Sequence, residues 1–294
     1  MSAVAGNSNA CSAGDYFYPS RGSRCSMGVM NYTFLGAGKM ALAIIQGMLR
    51  AGVCAPTEMF AACPEPELLE NLSDATGVNV LSSNAEASAA ADVVILCVKP
   101  ADVAEAISQA GDGLAGKLII SIVAGLKVAT LEALAPQSRI IRAMPNTAAL
   151  VGRAATAFCS SEFATHADEE TAQTIFSSVG EVYPVEEKLL NAVTGLSGSG
   201  PAYIYLVIEA MSDGGVAAGL PRKLALDLAV QTVAGAADMV CATSEHPAVL
   251  REMVTSPAGT TMAGLVALED RGVRAAFINA VRAAASRADE LSGE

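Results

Sequence analysis

The sequence is short of the residues on which much enzyme chemistry depends. Only two histidines occur, His166 and His246. Neither adjoins a motif suited to acid–base work, and both read as surface residues. No cysteine, histidine or carboxylate group has metal-ligand spacing, so no metal is expected. The seven cysteines (Cys11, Cys25, Cys54, Cys63, Cys97, Cys159 and Cys241) are scattered singly, several in apolar runs. Their odd count and the lack of a recognisable secretory leader point to small core residues in a reducing, cytoplasmic compartment. Charged residues are scarce at 16%, and basic ones scarcest: 18 Lys and Arg face 30 Asp and Glu, a net charge of -12. That excludes a nucleic-acid partner, which needs clustered cations. It also means that an anionic ligand must be held by local donors such as helix N-termini, because the overall field repels it.

Long apolar runs are missing too, although hydrophobic residues make up 52% of the chain and the mean hydropathy is +0.42. A membrane span needs about 18 or more largely apolar residues. The best candidate, Tyr203 to Leu220, is broken by Glu209, Asp213 and the Gly214–Gly215 pair, so no membrane is expected. Much of the excess hydrophobicity is alanine, which suits close-packed helices and subunit interfaces. The first 28 residues are rich in Ser, Gly and Ala without periodicity and read as a disordered tail. Arg21 and Arg24 among serines raise organelle import as an alternative, against which Asp15 and the lack of an amphipathic pattern speak.

From residue 29 the pattern alternates. Val29–Leu35, Met59–Ala62, Val78–Leu81, Asp92–Val98, Lys117–Val123 and Arg139–Ala143 read as strands. Helical stretches lie between them, with Asn84 as a plausible helix cap. The apolar fourth and fifth strands suit a parallel sheet buried on both faces. Ala154–Cys159 and Glu181–Val185 add two further strands around a helix from Asp168 to Ser178. After about Leu189 every segment has helical period: Pro201–Ala218, Arg222–Cys241, Pro247–Val254, Thr261–Glu269 and Val273–Leu291. The expected fold is α/β: a Rossmann doubly wound, mostly parallel sheet over residues 29–188, followed by an all-helical domain over 189–294.

The turn after the first strand, Gly36-Ala37-Gly38-Lys39-Met40-Ala41, fits G-x-G-x-x-[GA]. The first glycine permits a tight turn, the second lets a pyrophosphate reach the backbone, and the small third residue lets helix pack on strand. The following helix offers unpaired N–H groups to the phosphates. Such a motif alone is weak, but here it follows a strand and opens a helix. The second strand ends in Ala62-Cys63-Pro64-Glu65. No arginine stands there for a 2′-phosphate, and Glu65 lies slightly past the usual position of the ribose-binding acid. The choice between NADH and NADPH therefore stays open. Cys97-Val98-Lys99-Pro100, Val123-Ala124-Gly125 and Met144-Pro145-Asn146-Thr147 end the later strands. Lys99 is an ammonium at the carboxyl edge of the sheet, where ligands bind.

Two small-polar clusters mark the helical half. Thr194-Gly195-Leu196-Ser197-Gly198-Ser199-Gly200-Pro201-Ala202-Tyr203 is not the hydrolase elbow, because Ser199 takes its fifth position; it reads as a reactive cluster or a Gly-rich helix connection. Val254-Thr255-Ser256-Pro257-Ala258-Gly259-Thr260-Thr261 opens a helix and forms a nest for a carboxylate. The absence of a catalytic histidine favours imine reduction. An iminium arrives protonated and needs only hydride, whereas a hydroxyl substrate needs a group to manage its proton.

Both clusters resemble the signatures of the pyrroline-5-carboxylate reductases. The resemblance takes in Ala192 to Tyr203, then Pro247 through Leu250, Val254-Thr255-Ser256, Gly259, Thr261 and Gly264-Leu265 to Glu269, with Val98-Lys99-Pro100 and Met144-Pro145-Asn146-Thr147 in order. It spans about residues 30 to 292. It implies hydride transfer from NADPH or NADH to the C=N carbon of 1-pyrroline-5-carboxylate, giving L-proline. It also implies that Leu35, Gly36, Ala37, Gly38, Lys39, Met40, Cys63, Glu65 and Asn84 contact the dinucleotide. Cys97, Val98, Lys99, Pro100, Ile122, Val123, Ala124 and Asn146 complete that implied set. Thr260 and Thr261 would hold the substrate carboxylate, with Glu187 near its ring. Dimers interlocked through the C-terminal helices, often grouped as decamers, come with the family. Two departures stand out: Ala258-Gly259 replaces a usual Gly-Gly, and Met253 stands where an amide is common. The missing G-x-x-G-x-x-x-K motif sets the chain apart from β-hydroxyacid reductases.

Overall fold

A computed structural model describes residues 30–293. The tail expected over residues 1–28, with Cys11 and Cys25, lies outside the described residues. The described chain divides into two units, residues 30–201 with 280–293, and residues 202–279.

The first unit is built on an eight-stranded sheet of β1 (Tyr32–Leu35), β2 (Met59–Ala62), β3 (Asn79–Leu81), β4 (Val93–Leu96), β5 (Leu118–Ser121), β6 (Arg139–Met144), β7 (Ala154–Ser160) and β8 (Gly180–Pro184). Its order is β3-β2-β1-β4-β5-β6-β7-β8. The first six strands are parallel; β7 runs antiparallel to β6, and β8 parallel to β7. Around the sheet lie α1 (Lys39–Ala51), α2 (Pro66–Thr76), α3 (Asn84–Ala89), α4 (Val103–Ala110), α5 (Val128–Leu134), α6 (His166–Ser177) and α7 (Leu190–Val193).

The central strands bury both faces. Alternate residues point to opposite sides of a strand, and here they feed two cores: Phe34, Val93 and Ile95 join one, Leu35, Val94 and Leu96 the other. This is why β1 and β4 carry no polar alternation. The one polar residue of β1, Thr33, is fully buried and its hydroxyl donates to the Ala87 carbonyl at 2.6 Å.

The central strands are shorter than the apolar runs suggest. Cys97–Val98 and Ile122–Val123 leave the ladder and become the rim of the sheet. One bond each still ties them in: Cys97 N–H to the Leu35 carbonyl at 2.8 Å, and Ile122 N–H to the Leu96 carbonyl at 3.2 Å. The cap of α3 is Ser83, whose side chain accepts from Glu86 N–H; Asn84 is the first helical residue instead. The seven-residue strand expected from Asp92 begins at Val93 because Asp92 turns out to accept from the Asn31 backbone at 2.9 Å.

The second unit is helical. It holds most of α8 (Gly200–Ala217), all of α9 (Arg222–Thr243), α10 (Pro247–Met253) and α11 (Thr260–Asp270), and the start of α12 (Val273–Leu291). From Ala280 onward α12 belongs to the sheet unit. Small residues permit that packing: a Cβ added to Gly195 would lie 2.6 Å from the Val281 carbonyl oxygen. Asn191 then donates to Asp289 at 2.7 Å and to Ser292 at 3.1 Å.

In the helical unit Leu206, Val230, Val266 and Ile278 are exposed. Among the described residues α9 is the one helix long and apolar enough to cross a membrane, with a mean hydropathy of 1.4 over 18 residues. Tyr203 to Leu220 does not meet that measure, its charges falling mid-helix.

Candidate active site

Three chain crossings converge on the carboxyl edge of the sheet. Gly36 follows β1, Cys97 follows β4 and Ile122 follows β5. Gly36 N–H donates to the Ala62 carbonyl at 2.8 Å, which draws in the end of β2 as well. Gly36 has φ +103°, and a Cβ there would lie 2.7 Å from the Cys97 carbonyl oxygen. Only glycine serves. Gly38 is different: a Cβ there meets nothing within 4 Å. It is the N-cap of α1 with no side-chain cap bond, and no acid stands in the first turn. The leading amides of α1 thus have no side-chain cap, and the space beside Gly38 is open. That is a cradle for a phosphate group, and a dinucleotide's pyrophosphate fits it.

The rest of the expected cofactor set sits at or just after the ends of β1, β2, β4, β5 and β6 and at the start of α3. Leu35 and Ala37 are buried beneath the glycine turn, whereas Lys39, Lys99, Pro100 and Ala124 are exposed and Met40, Val98 and Ile122 half-buried. Burial pushes the Cys97 thiol well up from its ordinary value, so it stays protonated. Cys63 donates from Sγ to Glu65 Oε2 at 2.7 Å. Asn84 donates to the Gln109 side chain at 3.0 Å. Asn146 donates to the Ser197 carbonyl at 3.0 Å and accepts from Ala155 N–H at 3.4 Å. That bond joins the end of β6 to the Thr194–Tyr203 cluster, which is helical: Thr194–Gly198 forms a single π-helical turn between α7 and α8. Such turns favour functional positions.

Glu187 is committed to a network. Its Oε1 accepts from Val128 N–H at 2.7 Å and from Arg142 Nη1 at 3.1 Å. The Arg142 side chain is 3% exposed, and its Nη2 donates to Asn191 Oδ1 at 3.2 Å. Sequence reasoning passed over Arg142. Its signal was a charge in the middle of an apolar strand, which folding tolerates only with a partner.

The second cluster lies in the helical unit. Gly259 caps α11 without a side-chain bond, so the Thr260 and Thr261 amides have no intrahelical acceptor. Ala258 has φ +56°, in the left-handed region that favours glycine. Met253 ends α10 and is exposed. The two histidines are at the surface: His166 lies beside Glu169 and Glu170, and His246 caps α10 by accepting from Ala248 N–H. No group of three potential metal ligands occurs among the described residues.

Comparison with known proteins settles the family. A model for pyrroline-5-carboxylate reductase dimerisation matches residues 187–291, and one for coenzyme F420-dependent NADP oxidoreductase matches 31–125. The pyrroline-5-carboxylate reductase of Arabidopsis thaliana is 48% identical over 88% of this chain and 94% of its own. The chain belongs to the pyrroline-5-carboxylate reductase family. Among solved structures, the Coxiella burnetii reductase aligns with a TM-score of 0.84 at 36% identity, covering 90% of this chain and 99% of that one. The Plasmodium falciparum pyrroline carboxylate reductase, solved with NADP bound, gives 0.82 at 32% identity over 90% and 98%. Fold class and cofactor class are therefore as the glycine turn indicated: a Rossmann-type NAD(P)-dependent oxidoreductase with a helical C-terminal region.

Proposed function

We propose that this reductase transfers hydride from NADPH or NADH to the C=N carbon of 1-pyrroline-5-carboxylate, giving L-proline in the last step of proline biosynthesis. The carrying observation is the Gly36–Gly38 turn, which leaves the N-terminus of α1 without a side-chain cap and open space beside Gly38, in a chain of this family. The bound nicotinamide supplies the hydride. Leu35 to Met40 hold the pyrophosphate, Cys63, Glu65 and Asn84 lie beside the adenosine, and Cys97 to Pro100, Ile122 to Ala124 and Asn146 frame the nicotinamide. The Thr260 and Thr261 amides and hydroxyls hold the substrate carboxylate. Glu187, its Oε1 fixed by Arg142 and Val128, turns Oε2 toward the ring. Lys99 adds positive charge at the rim. The substrate enters as the protonated iminium, so as the C–H bond forms the C=N π pair becomes the nitrogen lone pair and the nitrogen keeps the proton it already carries. No general acid is required, which fits a site without histidine. Rate then rests on proximity and orientation.

By function we divide the chain into residues 29–188 for the dinucleotide and 189–294 for dimerisation and substrate, although residues 189–201 and 280–293 pack in the sheet unit. The apolar α9 is covered by a second copy of the chain rather than by lipid, supported by the dimerisation model over 187–291. The assembly is a homodimer that builds decamers, in the cytoplasm. The test is oxidation of NADH and NADPH in the presence of 1-pyrroline-5-carboxylate. Turnover with L-proline as product is expected; no oxidation with either nucleotide overturns the reading.

A further inference from the structure

We infer that Glu65, held by Cys63, makes this chain discriminate against the 2′-phosphate and favour NADH; this rests on the dinucleotide reading above. In a Rossmann site the end of β2 meets the adenosine ribose, where an acid accepts from the 2′-hydroxyl and an arginine accommodates a 2′-phosphate. Sequence position alone leaves Glu65 displaced from that spot, because it is the N-cap of α2, past Pro64.

The side-chain geometry reverses this. The Glu65 carboxylate folds back on the end of β2, where its Oε2 lies 2.7 Å from the Cys63 sulfur. Cys63 directly follows β2, whose last residue Ala62 accepts from Gly36 N–H of the glycine turn at 2.8 Å, so the Cys63 contact brings the Glu65 carboxylate back to the end of β2, where the ribose is expected. Its charge is unrelieved. Residues 62–68 and 82–86 contain no lysine or arginine but carry Glu65, Glu67 and Glu86. Lys39, the cation of the glycine turn, opens α1, where the pyrophosphate common to both nucleotides sits. A dianionic 2′-phosphate beside Glu65 meets like charge with no compensating donor. The 2′-hydroxyl of NADH meets an acceptor.

The experiment is equilibrium binding of NADH and NADPH, read from nicotinamide fluorescence, with ADP and 2′,5′-ADP as competitors that cannot transfer hydride. NADH is expected to bind at least about tenfold tighter than NADPH, with ADP outcompeting 2′,5′-ADP in the same sense. Glu65→Gln should bring the ratio toward one by strengthening NADPH and weakening NADH, and Glu65→Arg should invert it. Glu65 is exposed, so neither variant threatens the fold, which circular dichroism checks. NADPH binding as tight as NADH, or a ratio unmoved by Glu65→Gln, overturns the inference and leaves the proposed reaction standing. Failure of both nucleotides to bind overturns both.

Discussion

Gly36 and Cys97 are in backbone contact that leaves no room for a side chain: a Cβ on Gly36 would sit 2.7 Å from the Cys97 carbonyl oxygen and 2.8 Å from its carbon. Gly38, two residues on, has nothing within 4 Å of its added Cβ. The two glycines of one motif therefore differ: the first is required by the packing of the backbone, whereas the fold sets no steric demand on the second. Gly36→Ala should lose roughly 2 kcal/mol or more of stability, from the clash and the strain of an L residue at φ +103°. Gly38→Val should leave stability within about 0.5 kcal/mol yet abolish dinucleotide binding. Denaturant unfolding and nucleotide titration of both variants check this. Retained binding in Gly38→Val would remove the pyrophosphate from this turn.

The Arg142–Glu187 pair yields a second prediction. Arg142 is nearly inaccessible, and Glu187 supplies the carboxylate that faces it. Glu187→Ala leaves a buried cation with Asn191 alone and should cost about 2–3 kcal/mol in denaturant unfolding. Glu187→Gln keeps an acceptor and should cost about half as much. Because that variant keeps its fold, it isolates the proposed contact with the substrate ring. An unchanged KM for the imine in Glu187→Gln would confine Glu187 to its structural role.

What the sequence made legible follows from which interactions are local. The strand–turn–helix around Gly36 was readable because glycine spacing, apolar run and helix start lie within a few residues. The central strands β1, β4 and β5 were readable because strands buried on both faces are almost entirely apolar. Strand ends were overextended, since Cys97 and Ile122 are apolar for the sake of the rim, not of the ladder. The Cys63–Glu65 contact was hidden because it depends on how the Glu65 side chain folds back. The Arg142–Glu187–Asn191 network was hidden too: its members are 45 and 49 residues apart, and no local pattern records such a distance.

Asp168 sets an acid limb. Burial alone would raise its pKa, but the Arg139 guanidinium at 2.8 Å and the Thr165 amide and hydroxyl hold it below its ordinary value of 3.8. A depressed carboxyl contributes stability that is present above the unfolded pKa and lost as pH falls through the folded one. Arg139 is one-third exposed, so the pair is worth about 1 kcal/mol. Asp168→Asn should be less stable by about that amount at neutral pH, with the gap closing as pH drops below 3.8. Unfolding midpoints across acid pH give the measurement. A gap that persists at the lowest pH would mean the capping geometry, not the charge, supplies the stability.

Thr261 separates the two ligands. It lies at the uncapped start of α11, in a different unit from the glycine turn. Thr261→Ala should therefore lower kcat/KM for the imine by about tenfold, the loss of a hydrogen bond to a charged group, while leaving the dinucleotide Kd within twofold. Steady-state kinetics and nucleotide titration decide it; unchanged kinetics would take Thr261 out of the carboxylate site.

Ala258 carries the last prediction. An alanine at φ +56° holds its Cβ against its own backbone, at a cost of about 1 kcal/mol that glycine does not incur. Glycine in turn loses more entropy on folding, which offsets part of the gain. Ala258→Gly should thus stabilise the protein by about 0.5 kcal/mol net, a small rise in the denaturant midpoint. The methyl group also stands one residue before Gly259, where a Cβ would already lie 2.3 Å from Ser256 Oγ. The loop leading to the Thr260 and Thr261 amides is therefore tightly folded, and removing the methyl widens its mouth. If those amides hold the substrate carboxylate, Ala258→Gly lowers the KM for the imine and leaves the dinucleotide Kd unchanged. A raised KM together with lower stability would show that the alanine braces this loop rather than strains it.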